Sequence, residues 1–344
     1  MDNYKYLVCT RCFTFNHGPY INDALNGFAI QKTSFPVVFV IVDDASTDNT
    51  ATELLKFAHA NLDLADDTTA YEKETDYAKV IYAKHKTSEN SFFAILLLKE
   101  NHYSRRLNKL PYLTEWMGNA KYIALCEGDD YWINPDKLQL QVDFMEANED
   151  YGLCYTQCRY YYQNEKRMAA KPWGGDNESF NQFMKTNTIP TATALYSAKL
   201  YEQYVLDVQP STRKWKLGDY PTWVWMSHEK KVKFIPVVTG VYRFLSDSAS
   251  GRNDYEKALA FGASSRSIKR YFNEKYNYGL TDDYFKKGEL IFNMKTAARF
   301  QRFNDFFVNW GRLIRYSPKY GLFYYKVYGF LLLFVSKKMR IKHS

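Results

Sequence analysis

An α/β fold built on a mostly parallel sheet flanked by helices, with a helical C-terminal extension, is what this sequence of 344 residues predicts. Three observations predict it. Apolar runs such as "PVVFVIVDD" (36–44), closed by two acids, and "FFAILLL" (92–98) alternate through the first half with segments of helical spacing. Such runs suit strands covered on both faces, the situation of parallel strands joined by helical crossovers. Beyond about residue 254 the periodicity is helical to the end.

The elements follow in order. "KYLVCT" (5–10) and "PVVFVIVDD" are strands, and between them Ile21, Ala24, Leu25 and Phe28 recur at helical spacing after Pro19, completing a βαβ unit. A second helix follows "DDASTDNT", with Asp48 as its N-cap and Leu54, Leu55 and Ala58 on one face. Residues 62–90 are polar, interrupted by "KVIYA", and read as an insertion. Next come "FFAILLL", a helix around Pro111–Gly118, the strand "KYIALC" (121–126), and a helix from Pro135 to about Asn148 carrying Leu138, Val142 and Met145. In the second half, 151–162, 189–197 and 231–244 are extended, and "GDYPTWVWMSHE" (218–229) is a helix opened by acid and proline.

Composition bounds the function. Hydrophobic residues at 46% and charged residues at 24% support a large core and argue against disorder. Aromatic residues reach 18%, with 30 tyrosines, which suits stacking on sugars or bases and equally fits a general tyrosine bias. Five cysteines and the opening "MDNYKYLVCT", which has no signal-peptide character, predict a reducing compartment, the cytoplasm. Cys9 and Cys12, and Cys154 and Cys158, have spacings that invite zinc, but Cys9 lies within a strand pattern, and buried thiols are the expectation. The net charge of +8 equals the eight basic residues, against no acidic one, between Phe306 and Ser344, so the body is balanced and nucleic acid is not the expected partner.

The acidic stretch "CEGDDYW" (126–132) follows the strand "KYIAL", placing Glu127, Asp129 and Asp130 within four positions. Like charges so close resist ionising together without a cation or solvent among them. At the mouth of an α/β sheet they suit a divalent cation bridging a diphosphate, since Mg²⁺ and Mn²⁺ take carboxylates together with substrate phosphates. They also suit a solvated turn. Neither a dinucleotide-binding glycine fingerprint nor a P-loop occurs.

"TFN" (14–16), "VDDASTDNT" (42–50), "KENHYS" (99–104) and "EGDDYWINPDKLQLQ" (127–141) come in an order and spacing that resemble the family 2 glycosyltransferases of bacterial polysaccharide synthesis, which have the GT-A fold. The match covers residues 5–150 and continues more loosely through "LGDYPTWVWM" and "GVYRF". The resemblance implies donor contacts from Thr14, Phe15, Asn16, Asp43, Asp44, Asn101, Tyr103 and Asp129, with Phe15 standing where the family usually has Tyr. It implies a divalent cation, Mn²⁺ or Mg²⁺, at Asp130, Asp129 and Glu127, the last standing where the family commonly has Asp. It also implies Asp219 as the base that deprotonates an acceptor hydroxyl, a position the residues alone equally read as a helix cap. Trp223 and Trp225 form either an acceptor wall or core. His17, His102 and His228 share no metal-binding spacing and are expected at the surface or behind other groups.

The expected organisation is a transferase domain over 1–253, with a nucleotide-sugar half (1–150) and an acceptor half (151–253), followed by a helical extension over 254–344. The implied reaction is inverting transfer from a nucleotide-diphosphate sugar, such as a UDP-sugar, to a glycan or lipid-linked oligosaccharide hydroxyl. A sugar nucleotidyltransferase, which should carry a Gly-rich basic loop after the first strand, and a binding protein on an inactive transferase scaffold are the rivals. The tail (about 318–344) joins apolar and basic residues. It is expected either to lie on an anionic membrane at the inner face of the cell membrane or to dock as a helix on the domain.

Overall fold

The structure, a computed structural model, describes residues 4–245 and 254–324. Among the described residues the chain divides into two compact units, one of residues up to Arg213 with Asp219–Leu245, the other of Lys214–Gly218 with 254–324.

Eleven strands make one sheet in the first unit: β1 (Tyr6–Thr14), β2 (Val37–Asp43), β3 (Tyr71–Glu74), β4 (Ala78–Lys84), β5 (Ser91–Leu98), β6 (Ala120–Leu125), β7 (Tyr131–Trp132), β8 (Tyr151–Tyr162), β9 (Arg167–Met168), β10 (Leu195–Ser197) and β11 (Lys231–Phe244). Their spatial order is 3-4-5-2-1-6-10-8-11-7, with β9 paired to β8. Strands β5, β2, β1 and β6 run parallel, so the segments leaving their carboxyl ends emerge along one edge. The polar stretch 62–90 is an antiparallel hairpin, β3–β4, continuing the sheet beyond β5.

The helices of this unit are α1 (Ile21–Ala29), α2 (Thr50–Asn61), α3 (His102–Arg105), α4 (Thr114–Met117), α5 (Lys137–Ala147), α6 (Phe180–Phe183), α7 (Ala198–Val208) and α8 (Tyr220–Glu229). Every residue of β2 is buried, because its side chains alternate between two cores. Val37, Phe39 and Ile41 meet Leu25, Phe28, Leu54 and Leu138 on the α1, α2 and α5 side. Val38, Val40 and Val42 pack with Trp116 and Leu113 on the other. Gly27 lets α1 lie directly on β7: a Cβ there would sit 2.8 Å from both the backbone N and O of Trp132. Lys137 is wholly buried beside Trp132, its Nζ 4.2 Å from that ring's centre and 2.6 Å from Gln141 Oε1, and burial lowers its pKa to about 7.

The second unit is helical: α9 (Tyr255–Lys275), α10 (Asp282–Arg299) and α11 (Phe303–Tyr316). Asp254 and Thr281 cap the first two through backbone N–H groups of Lys257 and Tyr284. Leu290, Met294, Ala297, Phe306 and Leu313 form its core. No helix among the described residues is long and apolar enough to cross a membrane. Residues 325–344 of the expected membrane tail lie outside the described residues.

Candidate active site at the carboxyl edge of the parallel strands

Four loops meet at this edge. After β1, Asn16 takes the left-handed backbone conformation (φ 54°), which Asn tolerates better than most residues. Its N–H reaches Ser46 Oγ at 2.8 Å and its Oδ1 accepts from Thr47 N at 2.8 Å, lacing the β1 loop to the β2 loop. Asp48 accepts from Gly18 N and Thr50 N, both at 2.9 Å, so it joins the same two loops as well as serving the start of α2. Phe15 is 41% exposed at this opening, with a face available for stacking.

The two acids closing β2 are turned inward. Asp43 is buried and accepts from Ser46; burial raises its carboxyl, partly offset by those bonds. Asp44 accepts from His102 N at 2.7 Å, Tyr103 N at 3.1 Å and Lys109 Nζ at 2.8 Å. Burial alone would raise the Asp44 carboxyl, but the Lys109 ammonium and the two backbone N–H groups outweigh it and hold it below its ordinary value. Asn101 donates to the Asp44 carbonyl at 2.9 Å and caps α3 through Ser104 N, while Tyr103 stands out into solvent. Asp44 and Asn101 thus build the 99–109 loop against β2. Lys109, which no motif pointed to, also lies 4.9 Å from the centre of the Phe13 ring.

The acidic stretch after β6 divides its three carboxylates among different partners. Glu127 turns back to Phe13 N at 3.2 Å beside the half-buried Arg11; burial raises its carboxyl to about 7, with Arg11 pulling the other way. Asp130 is buried, accepts from Arg243 N at 2.8 Å, and has its carboxyl pushed well above the ordinary value by burial and by Asp129. Asp129 points to the opening, where His17 Nε2 lies 4.0 Å from its Oδ2. The crowding read in the sequence is therefore relieved partly from within, by Arg11 and Arg243.

Arg243 was legible only as a letter of "GVYRF". Its Nε donates to the Asp129 carbonyl at 2.9 Å, Nη1 to Gln163 Oε1 at 2.6 Å, and Nη2 pairs with Asp23 at 2.5 Å. The guanidinium lies 4.9–5.5 Å from the ring centres of Tyr20, Tyr131 and Tyr161. Asp219 caps α8 from just outside: Oδ1 accepts from Tyr220 N and Oδ2 from Thr191 Oγ1, both at 2.7 Å. The residue after Thr191, Ala192, accepts from Trp132 Nε1 at 2.6 Å, which links the Asp219 segment to the end of the acidic stretch.

Trp223 and Trp225 are both buried, with Trp225 Nε1 held by Asp207 at 2.7 Å, so these rings are core and not an acceptor wall. All five cysteines are free and buried. Of the three histidines expected at the surface or behind other groups, His102 is buried between Glu100 O and the Tyr112 hydroxyl, and His17 faces an acid. Among the described residues no three His, Cys, Asp or Glu side chains converge as a metal-holding group. A cation here would have Asp129 as its carboxylate and would need substrate phosphates to complete its shell, which is how Mg²⁺ and Mn²⁺ are commonly held.

No family model matches the chain. Over 201 residues, 57% of its length, it is 28% identical to an uncharacterized protein of Mycobacterium bovis and, at the same identity and coverage, to uncharacterized proteins of Mycobacterium tuberculosis. The match takes in 49% of those proteins, so the chain spans about half the length of the curated relatives it matches. Among solved structures it is similar to S. aureus TarS 1-349 in complex with UDP, with a TM-score of 0.47, 12% identity, and coverage of 91% of this chain and 90% of that one. It is also similar to a mannosyltransferase from Pyrobaculum calidifontis in complex with GDP-Man and Mn²⁺, with a TM-score of 0.48, 13% identity, and coverage of 98% and 88%.

Proposed function

We propose that the chain is a glycosyltransferase of the family 2, GT-A kind, moving a sugar from a nucleotide-diphosphate donor to an acceptor hydroxyl with inversion. The observation that carries the proposal is the meeting, at one edge of the parallel strands, of the exposed Phe15, the laced Asn16 loop, the loop built on Asp44, and Asp129. Open α/β sheets bind ligands at that edge. Phe15 offers a face to the base, Asn16 and Tyr103 flank it, and Asp43 and Asp44 shape the wall through the loops they hold.

A divalent cation at Asp129 would neutralise the departing diphosphate. Glu127 and Asp130 support Asp129 from behind, each giving an oxygen to a backbone N–H. Asp219 takes the proton of the acceptor hydroxyl as that oxygen bonds to the anomeric carbon, while the bond from carbon to the diphosphate oxygen breaks and its electron pair leaves with the nucleotide. Thr191 orients the carboxylate for this role. We place the acceptor on a glycan or lipid-linked oligosaccharide and the enzyme at the inner face of a membrane. The support is chemical: from Phe306 onward the sequence has eight basic residues and no acidic one.

The test is a panel of nucleotide sugars assayed for thermal stabilisation with and without Mn²⁺, followed by product analysis on the stabilising donor. Stabilisation grows with the logarithm of ligand concentration over Kd. A nucleotide sugar that stabilises more strongly with Mn²⁺ and is hydrolysed or transferred supports the reading. Absence of stabilisation by every nucleotide sugar overturns it.

A further inference from the structure

We infer that His17 is a metal-contacting residue: its Nε2 and the Oδ2 of Asp129 hold one divalent cation between them, an inference that rests on the donor-site reading above. The two atoms are 4.0 Å apart, too far for a hydrogen bond. Ligand nitrogen and oxygen atoms each stand about 2.0–2.2 Å from such an ion, and neighbouring ligands of an octahedral ion lie about 3 Å apart, so the two side chains need draw together by only about 1 Å to share one ion.

The surroundings leave that gap to a ligand. Among the described residues, the Asp129 carboxylate has no partner nearer than His17, since Arg243 reaches the Asp129 carbonyl instead. Glu127 and Asp130 are occupied with Phe13 N and Arg243 N. Behind the imidazole, His17 Nδ1 and Thr14 Oγ1 are both buried without a hydrogen-bond partner. Both abut Gly128: a Cβ built there would lie 2.5 Å from Thr14 Oγ1 and 3.1 Å from His17 Nδ1. An Nδ1–H and a hydroxyl oxygen that abut the same glycine are a donor and an acceptor that rotation of the imidazole can bring together. Closing that bond fixes the tautomer with the Nε2 lone pair outward, toward Asp129, the arrangement that a metal-bound imidazole requires. Gly128 is what leaves room for it.

A site of one imidazole and one carboxylate, completed by phosphate oxygens, has a consequence that an all-carboxylate site lacks. Nitrogen ligation favours Mn²⁺, Co²⁺ and Ni²⁺ over Mg²⁺.

The test uses the full chain with Mn²⁺ and either UDP or GDP, read by electron spin-echo spectroscopy. The expected result is ¹⁴N modulation from a directly bound imidazole, converted to a ¹⁵N pattern when the protein is labelled with ¹⁵N-histidine. It should be lost in His17→Gln and retained in His228→Gln. His17→Gln should weaken Mn²⁺ binding at least about tenfold, the lower end of what losing a group that supports a metal costs, while Mg²⁺ binding changes little. Nucleotide-dependent Mn²⁺ binding without histidine modulation in the wild-type protein overturns the assignment of His17 alone and leaves the donor-site reading standing. No Mn²⁺ binding with either nucleotide overturns both. The wild-type spectrum decides the matter even if the variant fails to fold.

Discussion

The backbone N–H of Arg243 lies 2.8 Å from Oδ1 of Asp130, residues 113 positions apart, and the same arginine's Nε donates to the carbonyl of Asp129. The end of β11 therefore holds both residues of the acidic pair, Asp130 by its carboxylate through the arginine main chain and Asp129 by its peptide carbonyl through the arginine side chain. Replacing the guanidinium by an amide removes the donors to Asp129, Gln163 and Asp23 but keeps the main-chain bond. Arg243→Gln should cost on the order of 1–3 kcal/mol, the range for losing hydrogen bonds from a charged donor, with the half-exposed Asp23 able to turn to water. Arg243→Lys should recover only part of it, since an ammonium cannot reproduce the planar fork. Urea unfolding of the three proteins measures this, and equal stabilities would show that Arg243 does not organise the turn.

Asp219→Asn keeps the shape of the cap. An amide oxygen can still accept from Tyr220 N, and its NH₂ can donate to the Thr191 hydroxyl, which accepts as readily as it donates. Stability should change little. Because a base acts only as the acceptor is deprotonated, kcat should fall on the order of 10²–10⁴-fold with the donor KM nearly unchanged. Steady-state kinetics beside a melting curve separate the roles; near-full kcat would leave Asp219 as a helix cap only.

Lys109→Met tests the Asp44 latch through pH. With the Asp44 carboxyl held below its ordinary value, its contribution is fully present above the unfolded-state pKa of about 3.9 and fades as pH falls through the lower folded-state value. Removing the ammonium leaves two backbone donors, with His102 and Asp43 the other titratable neighbours. Lys109→Met should therefore be less stable than wild type at pH 7, and the difference should shrink as pH falls below the unfolded-state value. Parallel curves at all pH values would mean that the ammonium stabilises through packing on Phe13.

Gly27→Ala asks whether α1 must touch β7. A methyl group 2.8 Å from two backbone atoms of Trp132 cannot be relieved by a side-chain rotation, so α1 has to lift. The expected cost is about 1–3 kcal/mol, as for overpacking, despite alanine's better helix propensity. A variant as stable as wild type would show that the contact yields easily.

Strands β2 and β5 were legible in the sequence because two-sided burial writes a nearly unbroken apolar run, and β1 and β6 from the apolar stretches "YLVC" and "YIAL" within them. The helices α1 and α5 were legible from their spacing. Strand β3 was not, since "YEKE" at the sheet margin faces solvent and carries no apolar period. Only Leu195–Ser197 of the extended run 189–197 pairs as a strand; Thr191–Thr193 turns as a 3-10 helix at Thr193, whose hydroxyl bonds back to Thr156 and Pro190. The candidate site was visible where motifs are local, in "TFN", "DDAS" and "EGDD". Its long-range half was invisible: His17 meets Asp129 across 112 positions and Arg243 meets Asp23 across 220. Sequence spacing cannot express such pairs. It equally could not decide whether Trp223 and Trp225 faced an acceptor or the interior.

The hairpin β3–β4 also bears on how the protein behaves in concentrated solution. Without it, "SFFAILLL" of β5 would border the sheet with its row of amide and carbonyl groups bare, a template for pairing with another molecule. Instead the outermost strand is "YEKE", four residues long with Glu72, Lys73 and Glu74 exposed, and alternating charge discourages a second chain from adding there. At the opposite margin β7 is only two residues long. The polar stretch 62–90 thus acts as a guard against self-association. Excising it should leave the helical spacing and the strand-end motifs of the chain untouched while raising the share of the protein recovered as insoluble aggregate.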